Sequence, residues 1–188
     1  MKTKYKTKSE KYKFALLVAV CIFHFALLPI YSWAGMVVQA CFSPTGKCSN
    51  HIVRELDQAK REILVAVYAF TSDELAWALV KANRRGIKVR VILDQEFDQE
   101  SQYSKGTFLK QQNLLVRRVS GLARRKQGSG LMHQKFAVID HNIVLTGSYN
   151  WTASAENYND ENLLLFHDAG PLAEEYRQEF FRLWEKSR

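Results

Sequence analysis

Cysteine, repeated segments and excess charge outside the N-terminus are all scarce in this sequence of 188 residues. With three cysteines, the chain cannot be a scaffold held by many disulfides. We find no internal repeat, and the length suits one ordinary domain but not two. The formal charge is +8, but residues 1–34 contribute six lysines against one acidic residue, which leaves 21 basic and 18 acidic residues in the remainder. The charge of that remainder does not by itself indicate a polyanionic partner.

The first 34 residues have the pattern of a secretory signal. A lysine-rich start precedes an apolar run at 14–28, then Pro29 and small residues where a signal peptidase would cleave. The run has about the length of a signal core and is short for a spanning helix. We therefore predict a signal peptide at 1–34 and a periplasmic or secreted domain at 35–188. In the alternative, the segment continues to Val38 as an uncleaved inner-membrane anchor; in both cases the lysines stay cytoplasmic and the domain lies outside that membrane.

The cysteines agree with an exported domain. Cys21 lies in the leader, so Cys41 and Cys48 form the remaining pair. In an exported protein such a pair most simply makes a disulfide. The alternative is a metal site formed by Cys41, Cys48 and His51, although no fourth ligand is evident.

From about residue 48 the hydrophobic pattern alternates between helix and strand. The run at 63–70 is nearly continuously apolar, as in a central strand covered on both faces. Thr71 followed by Glu74 forms a capping box that predicts the next helix start. A final amphipathic helix is expected at 171–186. Strands separated by helices predict an α/β fold: one domain forming an α/β/α sandwich with a mixed, largely parallel central sheet.

A basic segment with glycines at both ends precedes the C-terminal third. The stretch at 121–130 has the composition of a loop. Its basic residues, with those just before it, suit contacts to a phosphate backbone. In the alternative they are simply solvated. They are Arg117, Arg118, Arg124, Arg125 and Lys126.

Four polar residues in the C-terminal third are spaced so that their side chains converge. Alternate residues of an extended chain share a face, so His133 lies beside Lys135, and Ser148 beside Asn150. This set suits a phosphodiester, because lysine supplies positive charge, Ser and Asn donate hydrogen bonds to phosphoryl oxygens, and imidazole attacks or transfers protons near neutral pH. Each residue alone is more often an ordinary surface or turn residue; the joint spacing favours a site.

The segment at 133–150 resembles the HxK(x)4D(x)6GSxN signature of the phospholipase D superfamily. Every defined position is met, by His133, Lys135, Asp140, Gly147, Ser148 and Asn150. Further similarity, at 42–44, 68–71, 85–89 and 160–162, is to the small bacterial endonucleases of this superfamily. It extends over roughly residues 40–186.

The resemblance implies a reaction without metal ion or cofactor. His133 would attack phosphorus and form a phosphohistidine, while Lys135 and Asn150 hold the non-bridging oxygens with help from Ser148. Glu161 would orient the histidine and favour its charged form. Asp140 is expected to act structurally at a strand end.

Partner and substrate follow from the same resemblance. The two-step chemistry needs two histidines of this kind and the chain has one motif, so we predict a symmetric homodimer with the site across its two-fold axis. The favoured substrate is nucleic acid, cleaved by an exported endonuclease. The first alternative is a phospholipid head group of phosphatidylcholine or cardiolipin. The lesser alternative is an inactive module that binds nucleic acid or anionic lipid.

Overall fold

The computed structural model describes residues 35–124 and 128–187. The predictions made for the leader (1–34) and for Arg125 and Lys126 lie outside the described residues. Gly35–Arg188 form one unit, and the account below concerns that unit. No helix in its described part is both long enough and apolar enough to span a membrane.

Within those residues the chain forms nine strands and six helices. The strands are β1 (Val37–Ser43), β2 (Glu62–Val67), β3 (Lys88–Asp94), β4 (Leu115–Val119), β5 (Ala123–Arg124), β6 (Gly128–Ser129), β7 (Lys135–Ile139), β8 (Ile143–Gly147) and β9 (Glu161–His167). The helices are α1 (Cys48–Gln58), α2 (Asp73–Arg84), α3 (Gln95–Glu100), α4 (Gly106–Gln111), α5 (Ala153–Asn157) and α6 (Gly170–Lys186). The start of α2 differs from the prediction by one residue. Ser72 caps it by accepting a hydrogen bond from the Leu75 N–H at 3.3 Å, and the N–H groups of both Thr71 and Ser72 donate to the Trp151 carbonyl.

Seven strands form the central sheet in the order β1-β9-β8-β7-β2-β3-β4. The predicted mixed sheet is confirmed, but its description as largely parallel needs correction. Only the β2–β3 and β3–β4 pairs are parallel, whereas the β1–β9, β9–β8, β8–β7 and β7–β2 pairs are antiparallel. For the β7–β8 pair the physical reason is the connection length: helices link β2, β3 and β4, but a tight turn joins β7 to β8 and permits only an antiparallel pair.

Both faces of the sheet are covered, which confirms the α/β/α sandwich. All six residues of β2 are buried, and they alternate between two apolar clusters. Ile63, Val65 and Val67 share a cluster with residues of α1 and α2. Leu64 and Ala66 face the other cluster, which is completed by residues of α6.

The sheet has two functionally different ends. We call the motif end the one at which β2, β3 and β8 finish and β7 and β9 begin; the pairings of Val67 with Lys135 and of Gly147 with Leu163 place these termini together. The far end carries the start of β2 and the end of β7. Polar residues that follow or precede these strands in sequence are therefore gathered at one end or the other.

Near the motif end a disulfide ties β1 to α1. The Cys41 and Cys48 sulfurs are bonded, which confirms the predicted pair. The bond also rules out the alternative metal site, because it removes both thiolates that such a site would use. The closed loop contains residues 42–47.

Candidate active site

His133 lies just before β7 at the motif end, with an exposed imidazole. Its ring packs against Tyr68, with the ring centroids 4.7 Å apart and an interplanar angle of 55°. Tyr68 directly follows β2, and its N–H donates to the Gln134 carbonyl at 2.8 Å. One face of the imidazole is thus held against protein while the rest of the ring is open to a ligand.

A buried carboxylate holds the backbone that precedes His133. Asp94, the last residue of β3, accepts hydrogen bonds from the N–H of Met132 at 2.8 Å and of Phe97 at 3.0 Å. It is only 1% exposed. The same side chain therefore caps α3 and fixes the segment that carries the histidine. Sequence reasoning missed this residue, although an acidic residue that ends an apolar strand and precedes a helix is a recognisable N-cap signal.

The surroundings of His133 favour the neutral imidazole. Burial lowers its pKa, the positive charge of Lys135 lowers it further, and the Asp94 carboxylate opposes both effects. A neutral ring keeps a nitrogen lone pair, which a nucleophile requires. The histidine therefore remains competent for attack below its ordinary pKa of 6.5.

Lys135 begins β7 and is half-buried. Its Nζ donates to the His133 carbonyl at 3.0 Å and lies 5.2 Å from the centroid of the Tyr68 ring. Burial lowers the pKa of Lys135, and the carboxylate of Glu161 partly offsets that effect. The ammonium group retains donors beyond the one used for the carbonyl, so it can contact a phosphoryl oxygen.

Ser148 and Asn150 follow β8 and keep hydrogen-bond donors available. The Ser148 Oγ accepts from the backbone N–H of Asn162 at 3.0 Å and from its Nδ2 at 3.3 Å, which leaves the hydroxyl hydrogen to donate. The Asn150 Oδ1 accepts from the Ala69 N–H at 3.3 Å. Within the described residues the Asn150 Nδ2 has no hydrogen-bond partner. The hydrogen bonds that their oxygens accept therefore orient both side chains, and each side chain can still donate to an anion.

Gly147 and Tyr149 shape this loop. Gly147 has φ 149°, and a Cβ there would lie 2.2 Å from the Asn162 carbonyl oxygen, so only glycine fits. Tyr149 points into the protein and donates to Glu156 Oε2 at 2.6 Å. Burial and that hydrogen bond raise the pKa of Tyr149 well above its usual range. Alternate residues thus point outward to the site and inward to the core.

The remaining motif residue, Asp140, lies at the far end and not at the site. Its carboxylate accepts from the N–H groups of Lys60 at 2.8 Å, Arg61 at 2.8 Å and Glu62 at 3.1 Å. These bonds join the end of β7 to the start of β2. The structure therefore gives Asp140 a role in strand pairing.

Glu161 begins β9 at the motif end. It accepts a hydrogen bond from Asn159 Nδ2 at 3.2 Å, and its charge acts on the pKa of Lys135. No hydrogen bond joins Glu161 to His133 within the described residues of this chain. Within this chain its charge acts on Lys135 and, to a smaller extent, on Tyr149.

Two of the predicted phosphate-binding arginines are engaged inside the protein. Arg117 donates to the Trp184 carbonyl at 2.5 Å and stacks 4.2 Å from the centroid of its ring. Arg118 donates to the buried Asp98 carboxylate at 2.5 Å. These contacts favour a structural role for both. Arg124 lies in β5, but its side chain, like Arg125 and Lys126, lies outside the described residues.

Comparisons with known proteins find similar sequences over most of the chain. A family model described as "Cardiolipin synthase, PLD-like domain" matches residues 52–184. The chain is 36% identical over 160 residues to a mitochondrial cardiolipin hydrolase of Xenopus laevis, covering 79% of this chain and 71% of that one. It is 35% identical over 144 residues to a phospholipase D of Rickettsia prowazekii, covering 77% of this chain and 66% of that one.

Two solved structures share the fold over most of the chain. NucT from Helicobacter pylori superposes with a TM-score of 0.76 at 28% identity, covering 81% of this chain and 98% of that one. Nuc from Salmonella typhimurium, described as a phospholipase D family member, superposes with a TM-score of 0.74 at 27% identity, covering 82% and 97%. The similarity therefore extends over nearly the full length of NucT and of Nuc.

Proposed function

The chain belongs to the phospholipase D superfamily and is a phosphodiesterase, and from that premise we propose that it is an exported endonuclease. The observation that carries this proposal is the open, polar character of the motif end. His133 and Ser148 are exposed there, and the Asn150 amide nitrogen is free of partners among the described residues. An open site accepts a phosphate within a long polymer, which a closed pocket would exclude.

The reaction proceeds in two displacements. A ring nitrogen of His133 attacks phosphorus, an N–P bond forms, and the P–O bond to the leaving oxygen breaks as a second histidine protonates that oxygen. The second histidine then takes a proton from water, which attacks phosphorus and releases His133. Lys135, Asn150 and Ser148 donate to the non-bridging oxygens in both transition states, where their hydrogen bonds are strongest. Glu161 is proposed to orient the histidine.

The second histidine comes from a second copy of the chain. His141 and His167 lie at the far end and pair with the buried carboxylates of Glu62 and Glu55, and His51 contacts Gln39 and Arg54. None of these three follows a motif like that of His133. A homodimer with the site across its two-fold axis supplies the missing group. A monomer in light scattering with full activity at the same concentration would contradict this.

Export is supported by the disulfide between Cys41 and Cys48. The Cys41–Cys48 disulfide persists in oxidising compartments such as the periplasm. We propose that residues 1–34 direct the chain there. Fractionation of cells, with N-terminal sequencing of the recovered protein, distinguishes a cleaved signal from a retained anchor. Reduced cysteines in protein alkylated directly in cells would oppose export.

A panel of substrates tests the proposed activity. Wild-type protein in the presence of a chelator is offered plasmid DNA, single-stranded RNA, and vesicles of phosphatidylcholine or cardiolipin. We expect nucleic acid to be cut and His133→Ala to be inactive. Unchanged activity in His133→Ala would overturn the mechanism. Binding without hydrolysis by the wild type would indicate the inactive module.

Phospholipid hydrolysis is the second candidate, and a separate surface favours it. Leu122 and Leu131 are 82% and 45% exposed, and they line a cleft of about 230 Å³ together with His133. Exposed leucines beside a reactive centre suit contact with a bilayer. Leu122→Asp with Leu131→Asp would then abolish vesicle hydrolysis and leave DNA cleavage intact. Vesicle hydrolysis by the wild type without any DNA cleavage would make this the principal function.

A further inference from the structure

A second cavity adjoins the motif end on the side of Asn150. Its volume is about 520 Å³, and its lining includes Phe97, Ser101, Tyr103, Lys105, Asn150 and Thr152. That volume lies in the range of roughly 300–1,000 Å³ typical of sites for small organic groups. The phosphoryl chemistry described above uses only Asn150 from this set. The cavity is thus available to another part of the substrate.

Aromatic contacts connect this cavity to His133. Phe97 packs against Tyr68 with ring centroids 5.4 Å apart, and Tyr68 in turn packs against the His133 ring. Asn150, which we propose to hold a phosphoryl oxygen, forms part of the cavity wall. A group esterified to a phosphate at the site can therefore enter the cavity while its phosphate remains on Asn150.

The wall that carries Ser101, Tyr103 and Lys105 is held in place by a buried carboxylate. Asp98, 7% exposed, accepts hydrogen bonds from the Ser104 hydroxyl and from Arg118 Nε. A Cβ at Gly106 would lie 2.1 Å from the same carboxylate, so glycine makes room for it. These contacts tie the 101–105 segment to β4. The cavity is preformed, which reduces the ordering cost of binding.

The chemistry of the lining selects a neutral, planar and polar group. Lys105 Nζ is 2.6 Å from the carboxylate of Asp73, which also lines the cavity, so this pair brings no net charge to the lining. Tyr103 is 67% exposed and presents a ring at the rim, and hydroxyls of Ser101 and Thr152 can bond to ring nitrogens or carbonyls. Acyl chains would leave the Ser101 hydroxyl without a partner, and the Thr152 hydroxyl, whose Oγ1 already accepts from the Ala155 N–H, without an acceptor for its hydrogen. A nucleobase satisfies both the aromatic and the polar surfaces.

We propose that this cavity receives the base of a nucleotide adjoining the scissile phosphate, with Tyr103 as the residue that stacks on it. The inference rests on the proposed action on nucleic acid. It makes the cavity a base-binding subsite, which gives the enzyme a contact to substrate beyond the phosphate without demanding one particular base.

Single-stranded DNA oligonucleotides with one abasic residue at a defined position test the subsite. For the wild type we expect the abasic residue to suppress cleavage at one neighbouring phosphate by about tenfold, the effect of losing one stacked base. In Tyr103→Ala, intact DNA should show about a tenfold higher KM at similar kcat, and the abasic residue should have no further effect. Tyr103→Phe should behave as wild type. Trp77→Ala, at an exposed aromatic residue outside the cavity, is the control.

The outcomes separate this inference from the proposed function. If the wild type cuts DNA but abasic suppression is unchanged in Tyr103→Ala, the subsite is wrong and the endonuclease stands. Equal cleavage of intact and abasic DNA by the wild type would also overturn the subsite. If the wild type cuts no nucleic acid and hydrolyses vesicles, both proposals fail together.

Discussion

The two ends of β7 contrast in how their polar groups are used. At the motif end, Lys135, Ser148 and Asn150 are oriented by internal contacts but keep donors free. At the far end, the Asp140 carboxylate accepts three backbone N–H groups. Residues of one short motif thus divide between chemistry and strand pairing. A polar or charged group can bind a substrate only where contacts within the protein leave some of its hydrogen-bonding capacity unused.

The cluster around Glu62 extends this contrast. Its carboxylate, which is largely buried, contacts Arg90 at 2.8 Å, Arg177 at 2.5 Å and His141 at 3.4 Å. These partners come from β3, α6 and the turn after β7. Three charged or titratable side chains therefore surround this one carboxylate at the far end, and all three belong to the protein itself and not to a substrate. High charge density alone does not locate an active site.

The largest expected effect concerns the two histidines at opposite ends of β7. We expect His133→Ala to lower kcat/KM by at least about 10³-fold, because the nucleophile is lost. His141→Ala should retain nearly all activity, since that ring pairs with Glu62. Steady-state rates on plasmid DNA with chelator measure both. An equal fall in kcat/KM for both variants would contradict the assignment of a reactive histidine to the motif end and a structural one to the far end.

Lys135→Met should lower kcat by roughly 10²- to 10³-fold, as expected for a donor to the developing charge. It should also raise the pKa of His133, because the lysine charge is one of the two influences that lower it. The neutral nucleophile would then be lost at higher pH, and the acid limb of the rate profile would move upward. Nitrogen NMR titration of His133 reports the shift. Lys81→Met, at an exposed lysine of α2, should leave that pKa unchanged.

Asp140→Ala should lower the free energy of unfolding by about 3 kcal/mol, because three N–H groups lose a charged acceptor. The φ of 53° at this position adds to the loss. Asp140→Asn keeps an acceptor and tolerates that backbone conformation, so its loss should be smaller. Urea unfolding measures both, and kcat should be preserved. A large fall in kcat with unchanged stability would place Asp140 in the chemistry instead.

The smallest expected effect concerns the disulfide near the motif end. Replacing Cys41 and Cys48 together by serine should lower the free energy of unfolding by about 2 kcal/mol, given the short loop that the bond closes. Reduction of the wild type should cause a similar loss. Activity on DNA at low temperature should persist. Inactivation of a still-folded variant would mean that the disulfide positions the site.

The local features of this fold were predictable because they depend on near neighbours in sequence. Alternation along an extended chain was enough to pair His133 with Lys135, and Ser148 with Asn150. The apolar run at 63–70 predicts a central strand, which the structure confirms over Glu62–Val67, while residues 68–70 lie beyond the strand end. The antiparallel half of the sheet was missed, since strand direction depends on which strands meet and not on their composition. The contacts of Arg117 with Trp184 and of Arg118 with Asp98 were not predictable, because only folding brings these residues together.

By itself, the sequence determined the reactive set and the disulfide pair, because residue identity and short spacing carry that information. The tertiary structure alone decided what surrounds the set. Tyr68 packs on His133, and Asp94 reaches the Met132 N–H across 38 positions of sequence. The tertiary structure also forms the cavity beside Asn150 from segments that are distant along the chain. Such contacts arise from sheet order and register, which no local pattern specifies.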